Sequence, residues 1–278
     1  MFKPNLVSPL LSNIYKNKNV LITGGATGLG KNIAEKYFSL GANVIISSRN
    51  KENLQNACND ISQLKNKNNN SIDFIEMDIS NHKSVLNCVE SLEQSLPDII
   101  INNAAANFLC KTENLTYNGW NKIIDTVLKG TFDFTLEIGK ELIKREKQST
   151  FVNISTLYAN NGSAFVVPSG MAKAGINNMS QSLSVEWSKY GIRFLTVSPG
   201  AIYTEGAFSR LDPDGKFRNM IEERIPCGRF GEKDELSNLI TFLTTEQCNW
   251  LNGVTINLDG GENNMNCGQF NILCKSML

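Results

Sequence analysis

Apolar and polar positions along the chain fall into two alternating kinds of block. Short runs that are apolar nearly throughout occur at Asn19–Thr23, Val44–Ser48, Ile72–Met77, Asp98–Ile101, Thr150–Ile154, Ile192–Val197 and Val254–Leu258. Longer stretches with helical spacing lie between them, at Leu29–Leu40, Lys51–Leu64, Asn118–Arg145, Ala172–Lys189 and Glu232–Thr244. Continuous apolar strands separated by helices are the mark of a parallel sheet buried on both faces. The pattern therefore predicts an α/β chain, one doubly wound domain over residues 1–278 with a seven-stranded parallel sheet and helices on both faces. The polar, turn-rich segment Ile202–Pro226 interrupts it where a crossover would ordinarily be short. Such an insertion reads as a binding loop. Lys65–Asn70 (KNKNNN) reads as a solvated loop, too short to divide domains.

Composition narrows the function classes. The 278 residues carry 27 basic and 27 acidic side chains, and 41% are hydrophobic. That is enough for a large core, and it leaves no basic surface of the kind nucleic acid requires. No segment approaches the roughly 20 apolar residues of a membrane-crossing helix. Seven scattered cysteines (Cys58, Cys88, Cys110, Cys227, Cys248, Cys267 and Cys274) without a CxxC pair fit free thiols better than disulfides. A single histidine, His82, leaves no basis for a Cys/His metal site and removes most imidazole chemistry. Asparagine is abundant. The N-terminal stretch lacks the apolar core of a secretion signal and is short for a mitochondrial presequence. Ser276-Met277-Leu278 only loosely resembles a peroxisomal tail.

The first apolar run ends in Thr23-Gly24-Gly25-Ala26-Thr27-Gly28-Leu29-Gly30 and a helix follows. Glycines there let the backbone turn tightly against a pyrophosphate, whose charge meets the helix N-terminus. The strand–turn–helix context marks a dinucleotide-binding (Rossmann) sheet. At the end of the second strand an acidic residue would select NAD. This chain has Ser48-Arg49-Asn50, a set suited to the 2′-phosphate of NADP(H), although Arg49 also reads as an ordinary surface arginine. Asp78, after the third strand, is placed either to accept from the adenine amino group or to cap the next helix.

The glycine pattern TGxxxGxG, together with Asn102-Asn103-Ala104-Ala105, resembles the short-chain dehydrogenase/reductase family. That family's active site is YxxxK. Here Lys173 supplies the lysine, but Ser169 stands in the tyrosine position, and a serine hydroxyl is far too weak to replace a phenol. A dead enzyme, an acid from elsewhere, or a reaction needing no such acid would each account for this. Tyr158 lies just beyond the fifth strand, where it reads either as a phenol turned into the same cavity or as a packing residue.

The resemblance sharpens with Asn102–Phe108 (NNAAANF), Thr131–Lys140, Phe165–Ser169 (FVVPS), Ala172–Gly175, Gly206–Gly215 (GAFSRLDPDG) and Ile225–Arg229 (IPCGR). From about Lys18 to Gly261 the chain resembles the 2,4-dienoyl-CoA reductases, and among them the mitochondrial type. The resemblance implies a catalytic set of Tyr158, Lys173, Asn107 and Ser169. It also implies NADPH/NADP+ as cofactor, held by Gly24, Gly25, Ala26, Thr27, Gly28, Leu29, Gly30, Arg49, Asn50, Asp78 and Lys173, with Pro199, Gly200, Ala201 and Ile202 on the nicotinamide side. Phe108, Thr116 and Arg210 would bind an unsaturated fatty acyl-CoA thioester, with Arg210 on a CoA phosphate. A homotetramer is implied as well, in the mitochondrion, with peroxisome or cytoplasm as alternatives. The peroxisomal type lacks the tyrosine, so Tyr158 argues against it.

Two departures accompany the match. Ser80 replaces a substrate-binding arginine of the mitochondrial members, and Val127 replaces an asparagine of ordinary family members, an absence shared with dienoyl-CoA reductases. The expected chemistry follows from the donors. Reducing a conjugated dienoyl thioester at Cδ spreads charge to the thioester oxygen, which neutral donors such as a phenol and an amide stabilise. Ser169 would orient substrate or water, or simply occupy a helix surface. An NADPH-dependent 3-oxoacyl or other carbonyl reductase, and a non-catalytic nucleotide-binding scaffold, are the competing expectations.

Overall fold

The computed structural model describes residues 10, 13–64, 69–92, 95–204, 218–265 and 271. Seven parallel strands run in the order β3-β2-β1-β4-β5-β6-β7. They are β1 (Asn19–Thr23), β2 (Asn43–Ser48), β3 (Ile72–Glu76), β4 (Ile99–Asn102), β5 (Ser149–Ile154), β6 (Ile192–Pro199) and β7 (Val254–Leu258). The chain reverses direction across the sheet between β1 and β4, the switch point at which open α/β sheets bind ligands beyond their strand ends.

Alternate strand residues enter two separate cores. Val20, Ile22, Ile99, Ile101, Val152, Leu195 and Val197 face one side, against α1 (Gly28–Ser39), α2 (Lys51–Ser62) and a later helix at Lys233–Leu243. Leu21, Ile100, Phe151 and Phe194 face the other, against α3 (His82–Ser91) and a helix at Gly130–Lys144. Each such side chain contributes about 1.5–3 kcal/mol through burial. Because the central strands are covered on both faces they read as apolar runs, whereas the edge strands β3 and β7 are only partly buried and carry polar positions.

The region expected as one helix at Asn118–Arg145 is α4 (Tyr117–Ile123), a π-helical turn at Ile124–Lys129, and α5 (Gly130–Lys144). The wider turn buries both Thr126 and Val127. Gly130 makes the close approach to the Ile79 backbone possible, since a Cβ there would lie 2.5 Å from the Ile79 carbonyl oxygen. After β5 come α6 (Tyr158–Asn161) and α7 (Val167–Glu186). Helix α7 begins five residues before the expected Ala172, with Pro168 in its first turn. Beyond β6, α8 (Arg218–Arg224), α9 (Lys233–Leu243) and α10 (Glu262–Met265) complete the described elements. Most of the Ile202–Pro226 segment, Arg210 included, lies outside the described residues. Among the described residues no helix is long and apolar enough to cross a membrane.

Candidate active site

The glycine turn joins β1 to α1 and is tied to the strands on both sides. The amides of Gly24 and Gly25 donate to the Ser47 carbonyl at 2.7 and 3.2 Å. Asn103 Nδ2 donates to the carbonyls of Thr23 and Gly24, both at 3.1 Å. Thr23 Oγ1 in turn accepts from the amides of Asn103 and Ala104 at 3.1 and 3.0 Å. Gly30 packs so closely on this turn that a Cβ would fall 2.3 Å from the Gly24 carbonyl oxygen. Gly28 is the opposite case: at φ +57° it has the left-handed backbone, and no atom lies within 4 Å of the Cβ position. The cradle is therefore held together behind and open in front.

That open space adjoins the N-terminus of α1, whose Ncap residue Thr27 makes no side-chain capping bond and whose first turn carries no acidic residue. Free amides and a positive helix end suit a pyrophosphate, and the residues present fit a dinucleotide. Arg49 is exposed at the end of β2, where it can reach outward. Asn50 is committed to capping α2, its Oδ1 accepting from the Asn53 amide at 2.8 Å. Asp78 caps no helix: that role belongs to Asn81, which accepts from the Ser84 amide. Asp78 Oδ1 instead accepts from the Ser80 amide and hydroxyl at 3.0 and 2.7 Å, so Ser80 is bound to its acidic neighbour.

Three segments converge beyond β4 and β5. Asn107, on the loop after β4, has its amide orientation fixed because its Oδ1 accepts from the Phe108 amide at 2.9 Å. Its Nδ2 then faces Tyr158 and donates to the phenol oxygen at 3.1 Å. Tyr158 opens α6, and Ser169 Oγ lies 3.3 Å from the same phenol oxygen. Ser169 is buried at 3% exposure, which removes the reading of it as a helix-surface residue. The early start of α7 is the reason, since it turns this residue inward beneath Tyr158. The phenol oxygen accepts from Asn107, and the Tyr158–Ser169 bond can run in either direction; with Ser169 as its donor, the phenol proton and the second amide proton serve an external acceptor.

One turn below Ser169, Lys173 is buried and its Nζ donates to the Ile154 carbonyl at the end of β5. Loss of hydration lowers its pKa from the ordinary lysine value to about 8. The helix carrying it is fixed to the sheet by a buried polar chain. Asn102 Nδ2 donates to Thr135 Oγ1 at 3.0 Å and to Asn153 Oδ1 at 2.8 Å, Asn153 Nδ2 donates to Ser180 Oγ at 2.7 Å, and Thr196 Oγ1 donates to Ser180 at 3.0 Å. This chain crosses β4, β5 and β6 and ends on α7, seven residues beyond Lys173.

A small apolar cluster of Ile123, Val127 and Ala172, with Phe108 and Ala106 against it, closes the cleft on the side of the π turn. Thr116 is exposed and caps α4 by accepting from the Gly119 amide at 3.1 Å. Phe165 takes a left-handed backbone, φ +68°, and its carbonyl accepts from the Cys110 amide at 2.9 Å. A bulky residue in that conformation is strained, and here the strain lies between the Asn107 loop and the start of α7. On the far side, Gly200 follows β6 and its amide donates to the Leu258 carbonyl, while Ile202 bridges to Gly231. Pro199 to Ile202 thus leave the C-terminal end of β6 beside the end of β7.

The spatial arrangement groups Asn107, Tyr158 and Ser169 around one oxygen, and Lys173 follows Ser169 one turn along α7. The residues that sequence reasoning passed over are Asn103, which locks the glycine turn, and the buried set Asn153, Ser180 and Thr196. Only the NNAA segment carried a signal for any of them.

Sheet order and glycine turn put the molecule among the short-chain dehydrogenase/reductases, oxidoreductases that use a nicotinamide cofactor. The family model described as enoyl-(acyl carrier protein) reductase matches residues 24–263, and the chain belongs to this family. A Caenorhabditis elegans protein named "Probable 2,4-dienoyl-CoA reductase decr-1.2", (3E)-enoyl-CoA-producing, is 40% identical over 274 residues, covering 96% of this chain and 87% of that protein. A solved short chain dehydrogenase from Bacillus anthracis is 34% identical with a TM-score of 0.79, over 91% of this chain and 98% of that one. A solved Agrobacterium tumefaciens structure, described as a "putative 2-deoxy-d-gluconate 3-dehydrogenase" with bound NADP, is 27% identical with a TM-score of 0.79, over 91% and 99%.

Proposed function

We propose that this chain reduces 2,4-dienoyl-CoA thioesters to trans-3-enoyl-CoA with NADPH, a step of the β-oxidation of unsaturated fatty acids. The observation that carries the reading is the Asn107–Tyr158 hydrogen bond at 3.1 Å, with a serine in the position the family usually gives its tyrosine. The 40% identity to a protein bearing a dienoyl-CoA reductase name supports it.

When bound, the nicotinamide supplies a hydride to Cδ of the diene. The phenol of Tyr158 and the amide of Asn107 donate to the thioester oxygen as negative charge reaches it through the conjugated chain. These donors are neutral and already oriented, so they stabilise charge without reorganising. A water then protonates Cα, with Ser169 in position to hold it. Lys173 binds the nicotinamide ribose hydroxyls, and its charge strengthens donation by the phenol. Gly24 to Gly30 hold the pyrophosphate, Arg49 the 2′-phosphate, and Pro199 to Ile202 the nicotinamide side. Asn50 and Asp78 border the adenosine end. Phe108 and Thr116 line the acyl-CoA path, and residues 202–226 form the substrate loop from which Arg210 meets a CoA phosphate. The same resemblance assigns a homotetramer in the mitochondrion, which light scattering and localisation of a tagged chain test.

The decisive assay is NADPH oxidation with 2,4-hexadienoyl-CoA and identification of a 3-enoyl-CoA product. NADPH should be preferred over NADH, and Arg49→Ala should reduce that preference about tenfold. A protein that binds NADPH, leaves this substrate untouched and reduces a 3-oxoacyl thioester would be a carbonyl reductase instead.

A further inference from the structure

Helix α10, a single turn after β7, has no role in the reaction as described, yet it touches three parts of the cleft. Its foundation is Asp259, whose Oδ1 accepts from the Gly261 amide at 3.0 Å and whose Oδ2 accepts from the Asn263 amide at 2.8 Å. On one side Asn263 Oδ1 accepts from Asn161 Nδ2 at 2.6 Å. Asn161 ends α6, the four-residue helix that Tyr158 begins, so this bond fixes the far end of the turn carrying the phenol.

On the other side Glu262 pairs with Arg224, the last residue of α8. The Glu262 side chain is 5% exposed while that of Arg224 is 57% exposed, so a buried carboxylate is met by an arginine reaching in from the surface. Glu262 also lies against Gly200, where a Cβ would come within 3.2 Å of its Oε2. Pro226 packs over Gly261, and the Cys227 amide donates to the Gly260 carbonyl at 3.1 Å. The segment that closes the 202–226 insertion is thus fastened to the same turn as Tyr158's helix.

We propose that the Glu262–Met265 turn positions Tyr158 and couples it to the C-terminal anchor of the substrate loop, with Asn263 and Glu262 as positioning residues for dienoyl reduction. This rests on the reading of Tyr158 as the oxygen-stabilising phenol. The physical logic is leverage. The Asn161–Asn263 bond is exposed and adds little to folding, but it determines where a four-residue helix sits. A displacement of about 1 Å at a reacting group costs up to about 10²-fold in rate. The Arg224–Glu262 pair holds the turn from the opposite side, so release at either end frees the phenol.

The test measures kcat and KM for 2,4-hexadienoyl-CoA, NADPH affinity by fluorescence, and thermal unfolding in Asn263→Ala, Arg224→Ala and the double variant. Asn263→Ala should lower kcat about tenfold while NADPH affinity stays within about twofold and the unfolding temperature is unchanged. Asn263→Asp, which keeps the acceptor for Asn161, should restore most of the rate. The double variant should lose no more than the worse single variant, because the two bonds act on one turn. Should Arg224→Ala fail to fold, Glu262→Gln, which removes the buried charge of the pair while keeping the shape of the side chain, takes its place in the cycle. Rate losses that multiply in the double variant, or full kcat in Asn263→Ala, overturn the coupling. Tyr158→Phe separates the levels. If it is impaired while Asn263→Ala is not, only the coupling fails. If Tyr158→Phe turns over at the wild-type rate, the phenol reading fails and the coupling with it.

Discussion

The two walls of the cleft are built by opposite means. On the β1–β2 side the cradle is backbone, eight consecutive residues whose fit depends on side chains being absent. Gly30 admits α1 against the Gly24 carbonyl, and Gly28 leaves open the space in front of the helix. On the β5 side the cluster is made of side chains from separate segments, Asn107, Tyr158, Ser169 and Lys173. A buried polar chain ties α7, which carries Ser169 and Lys173, to three strands. A backbone cradle is local and recognises a shared feature of many ligands. A side-chain cluster assembled over long sequence distances is where the reaction is chosen.

This division gives the sharpest expectation. Tyr158→Phe removes one of two donors to the thioester oxygen and should lower kcat about 10²-fold, corresponding to about 3 kcal/mol of transition-state stabilisation. NADPH affinity should stay unchanged, as measured by fluorescence titration. Gly28→Ala should behave in the mirror-image manner. Its left-handed backbone costs an alanine about 1 kcal/mol, and the added methyl enters the open space of the cradle. Cofactor affinity should fall about tenfold, with kcat at saturating NADPH nearly retained. The reverse assignment of effects, binding lost in the tyrosine variant and kcat in the glycine variant, would dissolve the distinction between the walls. Gly30→Ala sharpens it further: a Cβ 2.3 Å from a backbone oxygen should cost folding itself, read as a lowered unfolding temperature without cofactor.

The same division explains what could be read from the chain. The sheet was legible because its central strands are buried on both faces, and the cradle because glycine spacing is local. Tyr158 and Lys173 came from the resemblance, but their relation to Asn107 required the fold, since Phe108's amide is what turns the Asn107 side chain toward the phenol. Ser169 is buried because α7 starts at Val167, a boundary the apolar pattern put later. The π turn at Ile124–Lys129 left no mark in the spacing. Glu262 reads as a surface acid near a chain end, and only the packing of α8 reveals it as a buried partner of Arg224. The abundant asparagines likewise acquire meaning by position: Asn102, Asn103, Asn107, Asn153, Asn161 and Asn263 each hold a named partner around the cleft.

Lys173 belongs to the side-chain wall but serves the cofactor, so its titration tests where the two walls meet. In the unfolded chain a lysine titrates near its ordinary value, and burial lowers it to about 8 in the folded protein. Between about pH 8 and 10.5 the unfolded chain therefore binds the additional proton, and folding stability rises with pH through that window. Activity should move the other way, because the charged form is the one that holds the ribose hydroxyls and supports the phenol. The value of kcat/KM for NADPH reports the free enzyme and should be level at pH 7 and about halved at pH 8. Stability and activity that diverge over the same pH range would point to one buried base serving both. Lys173→Met should lose much of the rate and flatten the stability profile between pH 8 and 10.5, as followed by thermal unfolding. A wild-type profile in which kcat/KM stays level to pH 10 would mean that Lys173 does not act through its charge, and the lysine would then join the wall as packing alone.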